Sequence, residues 1–599
     1  MQNRNNRLIL ILIFIFLATT ILLVVWQGIK LRKPANIQPG DYSYAIEYAE
    51  YRLRKLMKDK HLPSIAITLI DDQETVWQGT FGKANLEAEI PAEVDTVYKL
   101  WSVAKVFTAI ETMRLVEDGL LDLDASITEY IPSFSIQNRF QEPGTITARS
   151  ILTHRSGLPR NGCFFVDFGK EALKDMVASL EKCQMATPVG YRYKYSNIGI
   201  DTLGYLIQHN RDDTFPSYMF NNLLQPIGMT GSTFLRGNIP SQREIAMGYE
   251  YYQGEYYPYE QNDITGSPSG NLYSTIEDMG KFVKFIFRGG AVNGEQLIST
   301  DILNSMFVDQ TANPKDPQMM GLGWKTSNAL IGEHLVWHDG GPSEGIGSLV
   351  AFLPERKLGI VLLANGTSFD GSISVPLALD ILKIMLESKF DLTVPDSMEP
   401  AIVKMDPDNL EKYAGRYVAF GEVLEVFVNK DRLRGRLGGF TFNLDPLGND
   451  EFQPQHWLSD IGLASVLGSP IDLRQLKIKF LEGDEIADDF MIIDVGGISH
   501  EICPRYPNLG SLGFQWKKFI GEFDLVYRLP SGELDNKILG TSTIWVEDDI
   551  LQMGGVVGPV IPISTTEIII ASGPYAGDIM ILDPETENIS HQSIVFVRH

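Results

Sequence analysis

Between residues 42 and 390 the chain alternates short, almost wholly apolar runs with longer stretches whose apolar positions recur at helical spacing. The runs 65–70 and 75–82 flank the turn-like pair Asp71-Asp72, and the runs 347–353 and 358–364 flank Pro354-Glu355-Arg356-Lys357, so each pair predicts a β-hairpin. The segments between the two hairpins are mostly helical in pattern. The clearest follows Tyr98-Lys99-Leu100-Trp101: Val106, Ala109, Ile110, Met113 and Val116 lie on one helix face, and Gly119 supplies a stop. A last helix is predicted over 375–390. Strands at the two ends with helices between them predict an α+β domain over 42–390, an antiparallel sheet packed with helices and carrying an inserted helical region. A site would lie where the two regions meet.

Beyond residue 390 the character changes. Residues 391–408 hold Pro395, Pro400 and Pro407 without periodicity and read as a linker. After it, short strand-like segments such as 423–428, 432–437 and 489–494 are separated by Gly, Asp and Asn. This part also repeats. Lys412-Tyr413-Ala414-Gly415-Arg416-Tyr417 aligns with Lys518-Phe519-Ile520-Gly521-Glu522-Phe523, and the segments 489–494 and 498–500 align with 578–583 and 589–591. Two related β-domains are therefore expected, 409–510 and 515–599, each the size of a small barrel. His500 and His591 fall at matching places and read as features of the repeat rather than as ligands.

At the other end, residues 8–26 are apolar apart from Thr19 and Thr20, and nineteen helical residues reach roughly 28 Å, close to a bilayer's hydrocarbon thickness. No Ala-x-Ala-like site follows before Pro34, so residues 1–33 read as an uncleaved membrane anchor, the alternative being a cleaved signal sequence. Flanking charge does not orient the span, because Arg4 and Arg7 precede it and Lys30, Arg32 and Lys33 follow it. With 51 Lys+Arg against 76 Asp+Glu the formal net charge is -25, and no clustered basic stripe offsets it. Phosphate backbones would be repelled, which argues against nucleic acid as a partner. Of the three cysteines, Cys163 and Cys183 fall in one domain and Cys503 is remote; one disulfide with one odd thiol, or three unpaired thiols, both fit the sequence.

Three segments carry chemistry. Ser102-Val103-Ala104-Lys105 sets a hydroxyl and an amine about one helical turn apart on the same face, so the amine can take the hydroxyl's proton. Tyr195-Ser196-Asn197 adds a phenol and an amide. His338-Asp339-Gly340-Gly341 adds a polar side chain followed by glycines that let backbone N–H groups approach an oxyanion. Acyl transfer is the chemistry these groups share. The chain also holds chance matches, Ser179-Leu180-Glu181-Lys182 and Tyr506-Pro507-Asn508. Ser179, however, sits inside a charged amphipathic run, whereas Ser102 opens a helix.

Together with Ile151-Leu152-Thr153-His154-Arg155-Ser156-Gly157-Leu158-Pro159 and Gly270-Asn271-Leu272-Tyr273-Ser274-Thr275, these segments resemble the serine β-lactamase and penicillin-binding-protein superfamily, in particular its class C-like branch of D-alanyl-D-alanine carboxypeptidases, D-aminopeptidases and esterases. The two C-terminal β-domains resemble the paired barrels of D-aminopeptidases in that superfamily. The resemblance implies that Ser102 is the nucleophile, that Lys105 and Tyr195 share the proton work, and that Asn197 binds the acyl side chain or orients Lys105. It further implies that His338 and Gly340 contact substrate and that the backbone N–H groups of Ser102 and Gly341 form an oxyanion hole. No cofactor or metal is implied: His334 and His338 are four apart, but no Glu follows His334 as a zinc motif needs, and Leu335-Val336-Trp337 between them reads as strand.

His338 and Asp339 stand where penicillin-recognising relatives often have a lysine and a hydroxyl residue. A partly charged histidine, with an aspartate that would repel an anion if it faced the cleft, favours peptide or ester substrates over β-lactams. The expectation is a serine hydrolase tethered at the membrane, acting outside the cytoplasm on D-amino-acid-containing peptides or esters. A β-lactamase proper and a non-catalytic penicillin-recognising sensor are the alternatives. The C-terminal repeats either narrow the active-site cleft or serve as spacers in contact with cell wall or a partner.

Overall fold

The computed structural model describes residues 33–599 apart from 35–36, 163–171, 265–266, 313–315, 317, 331, 391–401, 420, 438, 456–475, 484–489, 496–498, 513–514, 529–533, 548–549, 555–557, 572–577, 592–593 and 599. The apolar run 8–26 and residues 391–401 of the linker lie outside these. Among the described residues no helix is long and apolar enough to cross a membrane.

The catalytic-sized region is built on one sheet. Its strands are β1 (Ser64–Asp71), β2 (Glu74–Asn85), β3 (Ile90–Pro91), β4 (Lys325–Leu330), β5 (Glu333–Gly340), β6 (Gly347–Leu353) and β7 (Leu358–Ala364), in the order β4-β5-β6-β7-β1-β2-β3. Every pairing is antiparallel, and β1 and β7 bring the two ends of the region together, Ile65 opposite Ala364 and Asp71 opposite Leu358. The central strands read as unbroken apolar runs because both faces are covered. Val350, Phe352, Val361 and Leu363 point into the core of the helical region, whereas Leu349, Ala351, Ile360 and Leu362 point into a second core. That second core is formed with helices α1 (Ser43–Lys60) and α5 (Gly371–Phe390). The last helix starts earlier than its apolar pattern suggests because Asp370, whose carboxylate accepts the Ser372 backbone N–H at 2.9 Å, caps it.

Three further helices matter for the site: α2 (Ala104–Glu117), α3 (Asn197–Arg211) and α4 (Ile276–Phe287). α2 is buried almost throughout, from Ala104 to Met113, and Gly119 follows it at φ +70°, the left-handed region a stop requires.

Two eight-stranded β-structures follow. In the first, strands run in sequence order from Gly415–Ala419 to Ser499–Pro504, and an antiparallel bridge between Tyr417 and Arg505 brings the two ends close. In the second, Gly521–Arg528 pairs with Ile594–Arg598 and the barrel is closed. Both open with a 3₁₀ turn and a strand, Glu411–Tyr413 before Gly415–Ala419 and Lys517–Phe519 before Gly521–Arg528, as the first repeat alignment expects. The second alignment is offset. Among the described strands, Phe490–Val495 and Ser499–Pro504 are the seventh and eighth of their sheet, whereas Ile579–Leu582 and Ile589–His591 are the sixth and seventh of theirs. Similar strand-and-turn chemistry at neighbouring places produced that match. Asp489 and Ile498 lie outside the described residues.

Candidate active site

Ser102 stands at the meeting of sheet and helical region. It occupies a 3₁₀ turn, Trp101–Val103, that runs into α2, rather than the first turn of the α-helix itself. Trp101 holds φ +47°, a conformation that costs a non-glycine residue on the order of 1–3 kcal/mol and is kept only where the surroundings impose it. They do so here. Leu100 N–H donates to Leu272 O at 2.6 Å, and Leu100 O accepts from the Ser348 hydroxyl of β6 at 2.7 Å. The turn is thus pinned between the sheet and the segment 270–275.

Lys105 and Tyr195 converge on the hydroxyl. Lys105 Nζ lies 3.0 Å from Ser102 Oγ, and Tyr195 donates its phenol O–H to the same oxygen at 2.7 Å. Ser102 and Tyr195 are half-buried, but Lys105 is 1% exposed. That burial disfavours the ammonium and brings it down to about 7. Desolvation of the phenol itself pushes Tyr195 well above its ordinary value, so Tyr195 keeps its proton. Lys105 donates to Ser269 O at 2.7 Å, and Ser269 N–H donates in turn to Asp201 Oδ1 of α3 at 3.0 Å. Asp201 is 2% exposed, and burial pushes its carboxyl up to about 7.

Tyr195 is held from behind by His154. The Lys194 backbone N–H donates to His154 O at 2.7 Å and the Ser196 N–H to His154 Nδ1 at 3.2 Å, with His154 at φ +54°. Burial keeps His154 neutral. Ser196 caps α3 through its hydroxyl, 3.0 Å from Gly199 N. The Asn197 amide donates to Asn161 Oδ1 at 2.9 Å. Arg160 stacks its guanidinium 5.0 Å from the Tyr195 ring centroid.

The third segment ends β5. His338 is 1% exposed, its Nδ1 lies 2.8 Å from Asp339 O, and its Nε2 is buried without a partner. Burial brings it down to about 3, so it is a neutral group rather than the partly charged one expected from composition alone. Asp339 departs from expectation too. Its carboxylate is paired with Lys325 of β4 at 2.6 Å, and although burial works to raise it, the ammonium holds it below the ordinary value. The anion-repelling charge is neutralised by a residue fourteen positions upstream, which sequence spacing does not reveal. Gly340 is required by space: a methyl group there would lie 2.1 Å from Leu100 O and 3.0 Å from Ser102 N. Gly341 follows at φ +96°.

The chance matches are accounted for. Ser179 Oγ donates to Met176 O at 2.7 Å within a helical run, and Tyr506 donates to Val560 O at 3.2 Å between the two β-structures. His334 faces Glu355 and Phe307 O, each at 3.1 Å. Cys183 is disulfide-bonded and Cys503 is a buried free thiol, while Cys163 lies outside the described residues.

The family described as "Beta-lactamase" matches residues 50–382, which take in Ser102, Lys105, Tyr195, Asn197, His338 and Gly341. The chain belongs to the beta-lactamase family. Protein flp of Staphylococcus aureus is 26% identical over 315 residues, 51% of this chain and 60% of that protein. Beta-lactamase-like protein 2 of Dictyostelium discoideum is 28% identical over 285 residues, 46% of this chain and 51% of that protein. The chain thus spans a little over half the length of these curated relatives. Among solved structures, the octameric penicillin-binding protein homologue from Pyrococcus abyssi superposes with TM-score 0.51 at 23% identity, covering 76% of this chain and 99% of that one. SurE with D-Leu superposes with TM-score 0.52 at 20% identity, covering 77% of this chain and all of that one. These likenesses show the fold. Members of this family are generally serine hydrolases, and the fold brings Lys325, Asp201, His154 and Arg160 to the site residues named from sequence.

Proposed function

We propose that this protein is a serine hydrolase that works through an acyl-enzyme on D-amino-acid-containing peptides or on esters. The observation that carries it is the double contact on Ser102 Oγ, Lys105 Nζ at 3.0 Å and Tyr195 Oη at 2.7 Å. With Lys105 brought down to about 7, its neutral form takes the Ser102 proton while Oγ attacks the substrate carbonyl. The oxyanion is received by the N–H groups of Ser102 and Gly341, a device whose loss of one donor costs about 10²–10³ in rate. Protonated Tyr195 gives its proton to the leaving amine or alcohol and recovers it from Lys105. Water then attacks the acyl-enzyme by the reverse relay. His338, neutral and with Nε2 as acceptor, and Gly340 lie against the substrate, and Asn197, tied to Asn161, lines the acyl side.

A D-configured substrate is supported by the sequence's resemblance to D-peptidases and by D-Leu in the structurally similar SurE. The reading includes a tether through the apolar run 8–26, with the catalytic domain outside the cytoplasm. β-Lactam hydrolysis is the second reading, favoured by one observation: the Lys325 pairing removes the repulsion that Asp339 would otherwise exert on a carboxylate. A panel of D-amino-acid amides, D-alanyl-D-alanine peptides, short-chain esters and a chromogenic cephalosporin separates the two. Turnover of amides or esters with a Ser102 adduct by mass spectrometry is expected. Turnover confined to the cephalosporin transfers the assignment to the second reading, and an adduct on another serine overturns both.

A further inference from the structure

The residue before the Tyr195 phenol reaches out of its own domain. Lys194 Nζ lies 2.6 Å from Asp578 Oδ1 of the closed barrel, and the two side chains are 5% and 2% exposed. Asp578 stands just ahead of the strand Ile579–Leu582, and its other oxygen is 3.5 Å from Nε2 of His591, which ends the paired strand Ile589–His591. Burial works to raise the Asp578 carboxyl, but Lys194 and His591 outweigh it and hold it below the ordinary range. A second ion pair between these two parts, Arg139 with Glu567, is 4.0 Å apart and more than a quarter exposed on each side, so it contributes little.

A buried ion pair is a poor way to gain adhesion, since apolar side chains of the same volume serve as well or better, but it fixes distance and register. What it fixes here is the segment 194–196. On one side that segment hangs from His154 through the Lys194 and Ser196 N–H groups; on the other it is held by Asp578. Between the two holds lies Tyr195, whose phenol must stay at 2.7 Å from Ser102 Oγ. The barrel is itself braced: Tyr506 accepts from Leu551 N–H at 2.6 Å and donates to Val560 O at 3.2 Å, tying the two β-structures together.

We propose that the terminal barrel is a working part of the catalytic centre, in which Asp578, backed by His591, docks on Lys194 and thereby positions the Tyr195 phenol against Ser102. Asp578, His591 and Lys194 are positioning residues, and Tyr195 does the chemistry. The inference rests on the acyl-enzyme reading above and adds to it a reason for the barrel to be present.

The test uses the full chain carrying Asp578→Asn, Lys194→Met, or the pair Lys194→Met/Asp578→Leu, which replaces the ion pair with apolar contact. Each single variant is expected to lower kcat on a short-chain nitrophenyl ester by about ten- to a hundredfold, the scale of a small misplacement, with KM held within about threefold. Ser102 labelling by a fluorophosphonate should slow in parallel, and amide exchange should quicken in the peptide spanning 191–197. The apolar pair should recover kcat to within about threefold of the parent. His591→Gln, the mildest change, serves if a single variant fails to fold and should show the same pattern at smaller amplitude. Single variants that melt earlier but keep parental kcat, labelling and exchange overturn the proposal. A parent that forms no Ser102 adduct removes the acyl-enzyme reading instead, and the exchange measurement then decides the docking by itself.

Discussion

The rate of acylation should rise with pH through neutrality, and the group that sets this is Lys105. An ordinary lysine at 10.5 is neutral in about one molecule in 3,000 at pH 7, whereas one at about 7 is neutral in about half of them. Burial therefore raises the reactive form on the order of a thousandfold, equivalent to about 4–5 kcal/mol at 1.36 kcal/mol per pH unit. The assay is kcat/KM for an uncharged ester across about pH 5 to 9, which reports groups of the free enzyme. A base must be neutral, so the profile should climb with unit slope below about 7 and level off above it. Neighbouring groups do not titrate in the way: His338 is held neutral down to about 3, His154 is likewise depressed, Asp339 is lowered, and Tyr195 and Lys325 are raised. The Arg160 guanidinium works to lower Lys105. Asp201 is the exception, because burial brings its carboxyl up to about 7, and the limb belongs to the Lys105–Asp201 pair. Its anion favours the ammonium. Asp201→Asn keeps an acceptor for Ser269 N–H while removing that charge, so the limb should move to lower pH by about one unit. A profile flat from pH 5 to 9, or a limb that moves upward in Asp201→Asn, refutes the reasoning.

Three shorter predictions follow from the same geometry. Ser102→Ala should abolish labelling by a fluorophosphonate while Ser179→Ala, whose hydroxyl is spent on Met176 O, leaves it intact; intact mass shows which. Tyr195→Phe should leave thermal unfolding unchanged and lower kcat by about 10²–10⁴, the range of a positioned acid–base group, so an undiminished rate would take the phenol out of the relay. Gly340→Ala forces a methyl group to 2.1 Å from Leu100 O, which must displace the Ser102 turn or strand β5; ester turnover should fall below a tenth of the parent's on the scale of a lost oxyanion donor, and a fully active variant would show that the strand end gives way freely.

Much of the fold was legible because its central strands are short, apolar and bounded by turn residues. The hairpin 347–353 and 358–364 lies where the pattern put it, since strands buried on both faces leave nothing but apolar side chains to read. Element starts were less legible where polar caps rule. The last helix begins at Gly371 because Asp370 caps it, a signal that an apolar run beginning at Val375 does not carry. The barrel repeat shows the opposite failure. A 3₁₀ turn followed by a strand is a strong local signature and aligned correctly, whereas Asp-flanked apolar strands recur throughout both β-structures, so the second alignment slipped by one strand.

The site divides along the same line between local and long-range information. Ser102 and Lys105 lie within one turn of chain, so their spacing alone brings nitrogen to oxygen, at 3.0 Å. Charge could not be read that way. His338 and Asp339 carry the sequence's apparent electrostatics, but burial neutralises the first and Lys325, on the neighbouring strand, neutralises the second. The strand register places Lys325 opposite Trp337, two residues from Asp339 and on the same face of the sheet, and that register exists only once β4 and β5 pair. Lys194 repeats the lesson over a longer distance. From sequence it is one more cation in Tyr191-Arg192-Tyr193-Lys194, and only the folded chain brings Asp578 to it. The catalytic triplets are therefore a local property of this chain, while the electrostatic setting in which they act is assembled by tertiary contacts from β4, α3 and the terminal barrel.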